Sequence, residues 1–408
     1  MVSPETAWPG RVTCREDRIG NSRILKVVSN FGPIWGGAPQ IQIAQILDDM
    51  RRANFSRPIL WLYNAGFAEA LAALPAVARV HHVTENYFDF PDMSQLYLDR
   101  VALATSLADL NVAVSEGCAK PLRSFTSDKK IMIATNGCDF SAYNESEGLD
   151  AEIVTLHQNF RRLGVFGGNI NDRLDFDLMA RAVKTNTETF FLFVGDARMS
   201  AEGRAKFSLL CRNPNVGAIG KVSPDRLPAI YRAADFGFIP YIRSRLIVEN
   251  GFPLKALEMA ATGLPVVSTF MKPLAPFSPP LAVAQSDSDF LSGISQARRH
   301  PEHEKALRAI AFENNYDIRF SEILEKMAHS EPHTGSRIDV LAATYPHAEL
   351  KDIATMTRKA LLKNAIFYGL RYRFFISATQ FVDRLPSPLR KFVIAAKRAL
   401  VGRSAATQ

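Results

Sequence analysis

The sequence predicts an α/β protein in which two successive doubly wound units face a cleft and a basic helical tail follows them. From Arg23 onward, short β-branched and aliphatic runs alternate with helical stretches, which is typical of βαβ units whose strands are buried on both faces. The alternation breaks once, in the polar, turn-rich residues 135–150, and then begins again. At 408 residues the chain is long enough for two domains with separate cores.

Ten runs are predicted to be strands, five on each side of that break. They are residues 24–29, 58–63, 79–84, 110–114 and 130–134 in the first half, and residues 163–167, 189–195, 215–220, 236–240 and 264–269 in the second. Ligands of doubly wound sheets bind beyond the carboxyl ends of the strands. The loops after these strands are therefore expected to line the cleft.

Four segments follow from this pattern. They are a loose N-terminal leader at residues 1–22, a Rossmann-like domain at 23–150, a second Rossmann-like domain at 151–335 and a basic helical segment at 336–408. The leader mixes charges, proline and glycine without an apolar segment, so it is not expected to be a secretory signal. The sequence contains no run of about 18 apolar residues, so no membrane span is predicted.

The four cysteines show none of the paired spacings that metal sites or disulfide frameworks need. We therefore expect a reduced, cytoplasmic protein without a metal site. The net charge of +8 is concentrated in the tail, where eleven Lys or Arg residues stand against one acid between Arg358 and Arg403. The rest of the chain is nearly neutral.

Residues 387–402 of the tail form a basic amphipathic pattern at helical spacing. Such a helix can lie on an anionic membrane surface, and we expect peripheral contact with the inner face of the plasma membrane. The alternative is that its apolar stripe packs back on the first domain. Nucleic acid is not an expected partner, because the charge does not line a cleft-forming domain.

The stretch "ENGFPLKALEMAATGLPVVST" at residues 249–269 predicts a helix between Pro253 and Gly263. Lys255 and Glu258 are three residues apart and would share one face near the helix start. A helix start with an added lysine favours a phosphate, and a carboxylate one turn later can accept hydrogen bonds from ribose hydroxyls. An isolated pair with this spacing is more often a solvated ion pair, so context has to decide.

Two loops of the first half add candidates. Residues 30–40 contain Gly36 and Gly37 before a helix, where main-chain N–H groups could approach a ligand. The loop after the third predicted strand contains Glu85 and Asp89, either of which could take a proton from an attacking hydroxyl. No G-x-G-x-x-G motif occurs at residues 30–40, which weakens a dehydrogenase interpretation.

The context is a family resemblance. Residues 220–269 are similar to the donor-binding region of nucleotide-sugar-dependent glycosyltransferases of the GT-B fold, with a glycine turn, Tyr-x-x-Ala-Asp at 231–235, a strand that ends in Pro240 and a Gly-x-Pro-Val-Val run. Weaker similarity extends over most of residues 23–300, through "NVAVSEGCAKPLRSF", "IMIATNGCDFSAY" and "LGVFGGNINDRLDFDLM".

The resemblance implies roles for both domains. Residues 23–150 would bind the acceptor, with Glu85 or Asp89 as the base of an inverting transfer and Gly36 and Gly37 in an acceptor-side loop. Residues 151–335 would bind the nucleotide-sugar donor. The residues implied on the donor side are Gly168, Arg173, Tyr241, Arg243, Asn250, Gly251, Phe252, Lys255 and Glu258.

The sequence departs from the resembling family at two places. The large retaining branch has two glutamates eight positions apart, whereas this chain has Asn250 at the first position and Glu249 one residue earlier. The usual pair of basic residues for the diphosphate is incomplete, with Arg173 as the nearby candidate. The arrangement of Lys255 and Glu258 instead resembles branches that include inverting glucuronosyltransferases of exopolysaccharide assembly. Retention and inversion both stay open.

The expected function is transfer of a sugar from a UDP- or GDP-linked donor to a hydroxyl of a glycan or lipid-linked glycan, in exopolysaccharide or surface polysaccharide biosynthesis. No cofactor is expected, since the donor is a substrate and Lys255 with a helix start can neutralise the diphosphate. Two alternatives share the architecture. One is a nucleotide-sugar epimerase, and the other is a non-catalytic scaffold of polysaccharide assembly.

Overall fold

The computed structural model describes residues 12–19, 22–29, 40–55, 58–91, 93–145, 148–157 and 159–329. Gly36, Gly37 and the whole predicted tail, residues 336–408, lie outside the described residues. The described part contains three sheets, of two, four and six strands. Within that part, no helix combines the length and the apolar character that crossing a bilayer requires.

The described residues begin with an antiparallel pair of strands, β1 at Val12–Ile19 and β2 at Ser22–Ser29. Residues 12–19, predicted to belong to a loose leader, are therefore a strand, and the predicted strand 24–29 pairs with it instead of joining a parallel sheet. Gly20-Asn21 between them is a dipeptide typical of tight hairpins. β1 has four charged residues and no apolar run, so an apolar pattern does not predict it.

The four-stranded sheet of the first half is parallel, in the order β3-β4-β5-β6. Its strands are β3 at Ile59–Leu62, β4 at Ala78–Val83, β5 at Leu110–Ala113 and β6 at Ile131–Ile133. The helices of this half are α1 at Gln40–Arg52, α2 at Ala68–Ala73, α3 at Gln95–Leu107, α4 at Glu116–Ala119 and α5 at Phe140–Asn144. These four strands were predicted from their apolar runs.

The six-stranded sheet of the second half is also parallel, in the order β12-β11-β10-β7-β8-β9. Its strands are β7 at Arg162–Gly167, β8 at Thr189–Val194, β9 at Val216–Ile219, β10 at Phe236–Ile239, β11 at Val266–Thr269 and β12 at Ala282–Ala284. The helices are α6 at Ala151–His157, α7 at Phe176–Thr185, α8 at Ala201–Leu210, α9 at Leu227–Ala233, α10 at Arg245–Asn250, α11 at Leu254–Ala261, α12 at Asp287–Gln296, α13 at Pro301–Glu313 and α14 at Tyr316–Ala328.

Both faces of the six-stranded sheet are buried. Along β8, Phe190 and Leu192 point into one apolar cluster, whereas Phe191 and Phe193 point into another on the opposite face. This alternation is the period of two that a strand imposes on its side chains. A strand that is covered on both faces can contact a ligand only at its ends, so the site is expected where the strands end.

The strand order determines between which two strands a ligand is expected to bind. The chain runs from β7 outward through β8 to β9 and then returns to the other side of β7 with β10. Neighbouring loops therefore leave β7 and β10 in opposite directions, which opens a crevice beyond their carboxyl ends.

Helix α14 returns the chain from the second half to the first. Its Ile323 is 2% exposed and packs in one cluster with Val80, Leu110 and Val112 of the four-stranded sheet. The Phe320 ring lies 5.2 Å from the Trp61 ring. The two halves are thus joined by this helix as well as by the chain between β6 and β7.

Candidate functional site

Lys255 is a buried cation at the carboxyl edge of the six-stranded sheet. It is the second residue of α11, which Pro253 precedes at the N-cap position. The side chain is buried, with the residue 9% exposed, and Nζ donates a hydrogen bond to the Tyr241 hydroxyl at 2.9 Å. Nζ also lies 4.0 Å from the centre of the Phe166 ring. A hydroxyl and an aromatic face therefore hold the ammonium.

Among the residues that the structure describes, no carboxylate comes within ion-pair distance of Lys255. Taking an ammonium out of water without an anionic partner is unfavourable. An anion that enters beside Nζ would remove that cost. Burial without a carboxylate at ion-pair distance among the described residues distinguishes Lys255 from an ordinary lysine on a solvated helix face.

Two glycines allow the main chain to pass close to the ammonium. Gly168 follows β7 with φ +122°, and Gly195 follows β8 with φ +144°. A Cβ atom on Gly168 would lie 2.9 Å from Lys255 Nζ, and one on Gly195 would lie 2.1 Å from the Gly168 carbonyl oxygen. The backbone conformation and the close approach both require glycine here.

The crevice between β7 and β10 is closed at its base by main-chain contacts. Leu174, in the loop after β7, forms an antiparallel bridge with Tyr241, which follows β10. The Ile242 N–H donates to the Arg173 carbonyl oxygen at 2.8 Å. Arg173, Tyr241 and, through its hydrogen bond, Lys255 therefore belong to one edge of the sheet at the crossover point.

Glu258 lies one turn further along α11 and is partly buried. Burial raises the pKa of its carboxyl group, and the charge of Lys255 and a hydrogen bond with Tyr143 act in the opposite direction. Burial, followed by the charge of Glu258, also raises the pKa of the Tyr143 hydroxyl. The carboxylate is thus electrostatically coupled to Lys255 without an ion pair between them, so the solvated-pair alternative does not describe this helix.

Arg173 reaches from the second half to Glu85 of the first. Its Nη2 lies 3.0 Å from Glu85 Oε1, and both side chains are between one third and two fifths exposed. Glu85 comes two residues after β4, at the carboxyl edge of the four-stranded sheet. A residue predicted on the acceptor side and one predicted on the donor side therefore meet across the gap between the sheets.

Asn250 also contacts the first half. Its Nδ2 lies 3.4 Å from Asp89 Oδ2, which accepts a second hydrogen bond from Asn86 Nδ2 at 2.9 Å. Asn250 is 4% exposed, and a Cβ atom on Gly117 would lie 2.0 Å from its Oδ1. The structure therefore places Asp89 and Asn250 together at the junction of α4 and α10.

Gly251 and Phe252 shape the turn before α11. Phe252 is buried, and its carbonyl oxygen accepts a hydrogen bond from Asn136 Nδ2 at 3.0 Å. A Cβ atom on Gly251 would lie 2.7 Å from the Ile247 carbonyl oxygen. Asn136 follows β6, so this turn is tied to the chain that leaves the first sheet.

Arg243 is a predicted donor-side residue whose guanidinium contacts the start of α12. Its Nη1 forms an ion pair with Asp287, the first residue of α12, and its Nη2 lies 3.5 Å from the Ala284 carbonyl oxygen. Arg181 pairs with the same carboxylate, and hydrogen bonds from Arg181 together with both charges lower the pKa of Asp287. The Arg243 guanidinium therefore belongs to the β12–α12 corner.

Three residues of the site were not predicted, namely Phe166, Tyr143 and Gly195. Phe166 lies within an apolar strand, where sequence gives no sign that a ring faces a cation. Tyr143 lies in the polar residues 135–150, which the sequence pattern indicates as the boundary between the two domains. Gly195 carried a usable signal, because a glycine directly after an apolar strand often marks a close backbone approach.

Comparisons with known proteins agree with this architecture. Residues 161–277 match the family model described as "Glycosyl transferases group 1". That segment runs from β7 past β11 and contains the crevice with Lys255 and Glu258.

The chain is also similar to TuaH of Bacillus subtilis (strain 168), a glycosyltransferase assigned to teichuronic acid biosynthesis. The two are 26% identical over 242 residues, which cover 56% of this chain and 60% of TuaH. The match therefore spans less than two thirds of the curated relative.

Solved structures share the fold at low identity. The Escherichia coli trehalose-6-phosphate protein bound with UDP-2-fluoro glucose matches with a TM-score of 0.61 and 10% identity, over 78% of this chain and 90% of that one. Sucrose-phosphate synthase of Thermosynechococcus elongatus gives 0.54 and 15%, over 69% and 76%. HepE of Anabaena, in complex with UDP and glucose, gives 0.53 and 16%, over 73% and 84%.

The expected resemblance is confirmed by these matches. The chain has the GT-B fold, and its residues 161–277 match the family of group 1 glycosyl transferases.

Proposed function

We propose that this protein transfers a sugar from a nucleoside diphosphate sugar to a hydroxyl group of a glycan or lipid-linked glycan. The observation that carries the proposal is the buried Lys255 ammonium, which lies at the crossover crevice of the second sheet without a carboxylate partner among the described residues. A diphosphate supplies the missing negative charge. The family match at residues 161–277 and the nucleotide-bound structures of similar fold support this choice of ligand.

The donor would lie along the first turn of α11. Its diphosphate would sit beside Lys255 Nζ and the N–H groups of the helix start, in the space that Gly168 leaves open. Its ribose hydroxyls would donate hydrogen bonds to Glu258, one turn further along. The donor would therefore extend from its diphosphate in the crevice to its ribose on the side of Glu258 and Tyr143.

The chemistry needs stabilisation of a leaving group. When the bond between the anomeric carbon and the diphosphate oxygen breaks, negative charge builds up on that oxygen. A positioned ammonium in a site of low water content stabilises this charge more strongly than it would in water. In this proposal Lys255 and the helix start act without a metal ion or cofactor.

The acceptor would enter from the first half, where Glu85 and Asp89 face the gap. In an inverting transfer one of them would take the proton of the attacking hydroxyl. Asp89 accepts hydrogen bonds from two amide groups and Glu85 pairs with Arg173. A retaining transfer would not need this base, and the anomeric configuration of the product distinguishes the two.

Similarity to TuaH supports a place in surface polysaccharide biosynthesis. The proposal includes a cytoplasmic location with peripheral membrane contact through residues 336–408, since a lipid-linked acceptor would lie at the membrane. Flotation with anionic liposomes, with and without residues 385–408, tests the membrane contact. Equal recovery of both proteins would contradict it.

The donor site is tested by thermal unfolding with UDP, GDP, ADP and dTDP. A nucleotide at about 100 times its dissociation constant should stabilise the wild type by about 2.7 kcal/mol. Lys255→Ala and Glu258→Ala should fold but lose most of this shift and all transfer activity. Lys272→Ala is the matched control, because Lys272 is exposed and pairs with Glu249.

Equal nucleotide shifts in the wild type, Lys255→Ala and Glu258→Ala would contradict the site. Consumption of the donor without an acceptor would favour the epimerase alternative. A wild type that binds none of the nucleotides would favour the non-catalytic scaffold.

A further inference from the structure

One ion pair joins Arg173, a residue predicted to bind the donor, to Glu85, a predicted base on the acceptor side. Arg173 Nη2 lies 3.0 Å from Glu85 Oε1, across the gap between the two sheets. The side chains remain 40% and 35% exposed, so water and solutes can reach the pair. The Arg173 guanidinium is a candidate for binding the diphosphate, and the Glu85 carboxylate is a candidate for the base. Here the two charges are paired with each other.

The main chain of Arg173 is held by two hydrogen bonds, whereas its guanidinium is held by the partly exposed ion pair with Glu85. Its N–H donates to Asn171 Oδ1 at 3.0 Å, and its carbonyl oxygen accepts from the Ile242 N–H at 2.8 Å. These contacts hold the residue at the crevice that contains Tyr241 and Lys255. Exchange of Glu85 for a diphosphate in the crevice would require the guanidinium to turn while these main-chain contacts stay in place.

We propose that Glu85 is a displaceable counter-ion of Arg173, and that binding of the donor diphosphate releases the Glu85 carboxylate toward the acceptor side. This inference rests on the proposed function. A single guanidinium serves two anions in turn, so occupation of the donor site and exposure of the acceptor-side carboxylate are coupled. The donor would then bind before Glu85 is available to an acceptor hydroxyl.

The balance of the two contacts favours the exchange. A partly exposed ion pair between side chains contributes little, because water screens it and two long side chains are ordered. A guanidinium on a diphosphate makes charge-assisted and often bidentate hydrogen bonds, which are among the stronger polar contacts. The diphosphate would also neutralise Lys255.

Two other polar side chains of the described donor-side residues, Arg243 and Asn250, do not offer the same exchange. Arg243 is tied to Asp287 at the start of α12, away from Glu85. Asn250 meets Asp89 through an uncharged amide at 3.4 Å. Among the described residues, Arg173 is thus the guanidinium that lies both at the crevice and against a carboxylate of the opposite half.

The experiment is calorimetric titration of the full chain with UDP, with GDP in parallel. Glu85→Gln removes the competing charge and should tighten binding by about two- to fivefold. Arg173→Gln should weaken binding by about tenfold or more. In the double variant, Glu85→Gln should give no further gain, because the two residues act on the same contact.

Glu188→Gln is the matched control. Glu188 pairs with Arg161 at 3.2 Å, but it lies before β8 at the amino edge of the sheet. Its loss should leave UDP affinity unchanged. The gain from Glu85→Gln should also shrink at high salt, since screening already weakens the pair.

Unchanged UDP affinity in Glu85→Gln would overturn the inference and leave the donor site intact. An equal gain in the Arg173→Gln background would also overturn it, because the effect would then be a general removal of negative charge. Absence of UDP and GDP binding to the wild type would instead refute the proposed function, and the inference with it.

Discussion

At the scale of single residues, the site depends on how one ammonium is held. Lys255 Nζ contacts the Tyr241 hydroxyl and the face of Phe166. Spacing in the sequence predicted Lys255 and Glu258, because i and i+3 share a helix face. Phe166 could not be predicted, since its contact depends on how β7 and α11 are brought together in the fold.

Tyr241→Phe tests the positioning of the ammonium. Loss of the hydroxyl removes the hydrogen bond to Nζ, and hydrogen bonds to charged groups contribute about 1.5–3 kcal/mol. UDP affinity is expected to fall by about tenfold, measured by calorimetry. Tyr63→Phe is the control, because Tyr63 is 49% exposed and belongs to the first half. The same affinity for Tyr241→Phe and wild type would show that Tyr241 does not position Lys255.

Glu258→Gln is expected to stabilise the folded protein while it weakens donor binding. Burial raises the pKa of this carboxyl group above its usual 4.5. A group of this kind favours folding below its unfolded pKa, and that contribution is lost as the pH rises through the folded pKa. Since glutamine does not titrate, the Tm of the variant should exceed that of the wild type at pH 7 and by less at pH 4.

Thermal unfolding at the two pH values is the measurement. A variant that is less stable than the wild type at pH 7 would contradict the dominant effect of burial on Glu258.

At the scale of elements, the loops after β7 and β10 define the crevice, and the loop after β8 approaches the loop after β7 at Gly168 and Gly195. The apolar runs of the strands were predictable, because strands covered on both faces have little polar sequence. β12 was missed, since Ala282–Ala284 is short and follows a proline-rich stretch. β1 was missed because its charged residues do not form an apolar run.

Gly168→Ala tests the close approach of these loops. Its φ of +122° disfavours a Cβ atom, which would also lie 2.9 Å from Lys255 Nζ. The free energy of unfolding should fall by about 1–3 kcal/mol in urea titrations, and UDP affinity should fall as well. Gly148→Ala has a φ of +89° with no neighbour within 4 Å, so it should lose stability and keep UDP affinity. Unchanged UDP affinity in Gly168→Ala would contradict the assigned crevice.

At the scale of the whole molecule, the fold places two parallel sheets on either side of a gap and ties them with α14. The GT-B resemblance was predictable from the order of motifs between residues 220 and 269. The contacts across the gap could not be predicted. Glu85 and Arg173 are 88 residues apart, and no sequence pattern around either residue indicates contact with the other. The charge of the tail lies outside the described residues, so its role stays a prediction.

Ile323→Ala tests the connection through α14. Ile323 is 2% exposed and packs against the four-stranded sheet, so the cavity left by the substitution should cost about 2–5 kcal/mol of unfolding free energy. Leu324→Ala, the next residue, is the control, because Leu324 is 43% exposed and its loss should cost about 0.5 kcal/mol or less. Equal losses in urea titrations of the two variants would contradict the packing of α14 on the first sheet.

The most direct measurement is a crystal structure of the protein with UDP. The diphosphate should lie within hydrogen-bond distance of Lys255 Nζ and the start of α11, with the ribose hydroxyls on Glu258. A diphosphate bound elsewhere, with the Lys255 ammonium still held by Tyr241 and Phe166 alone, would contradict the assigned donor site.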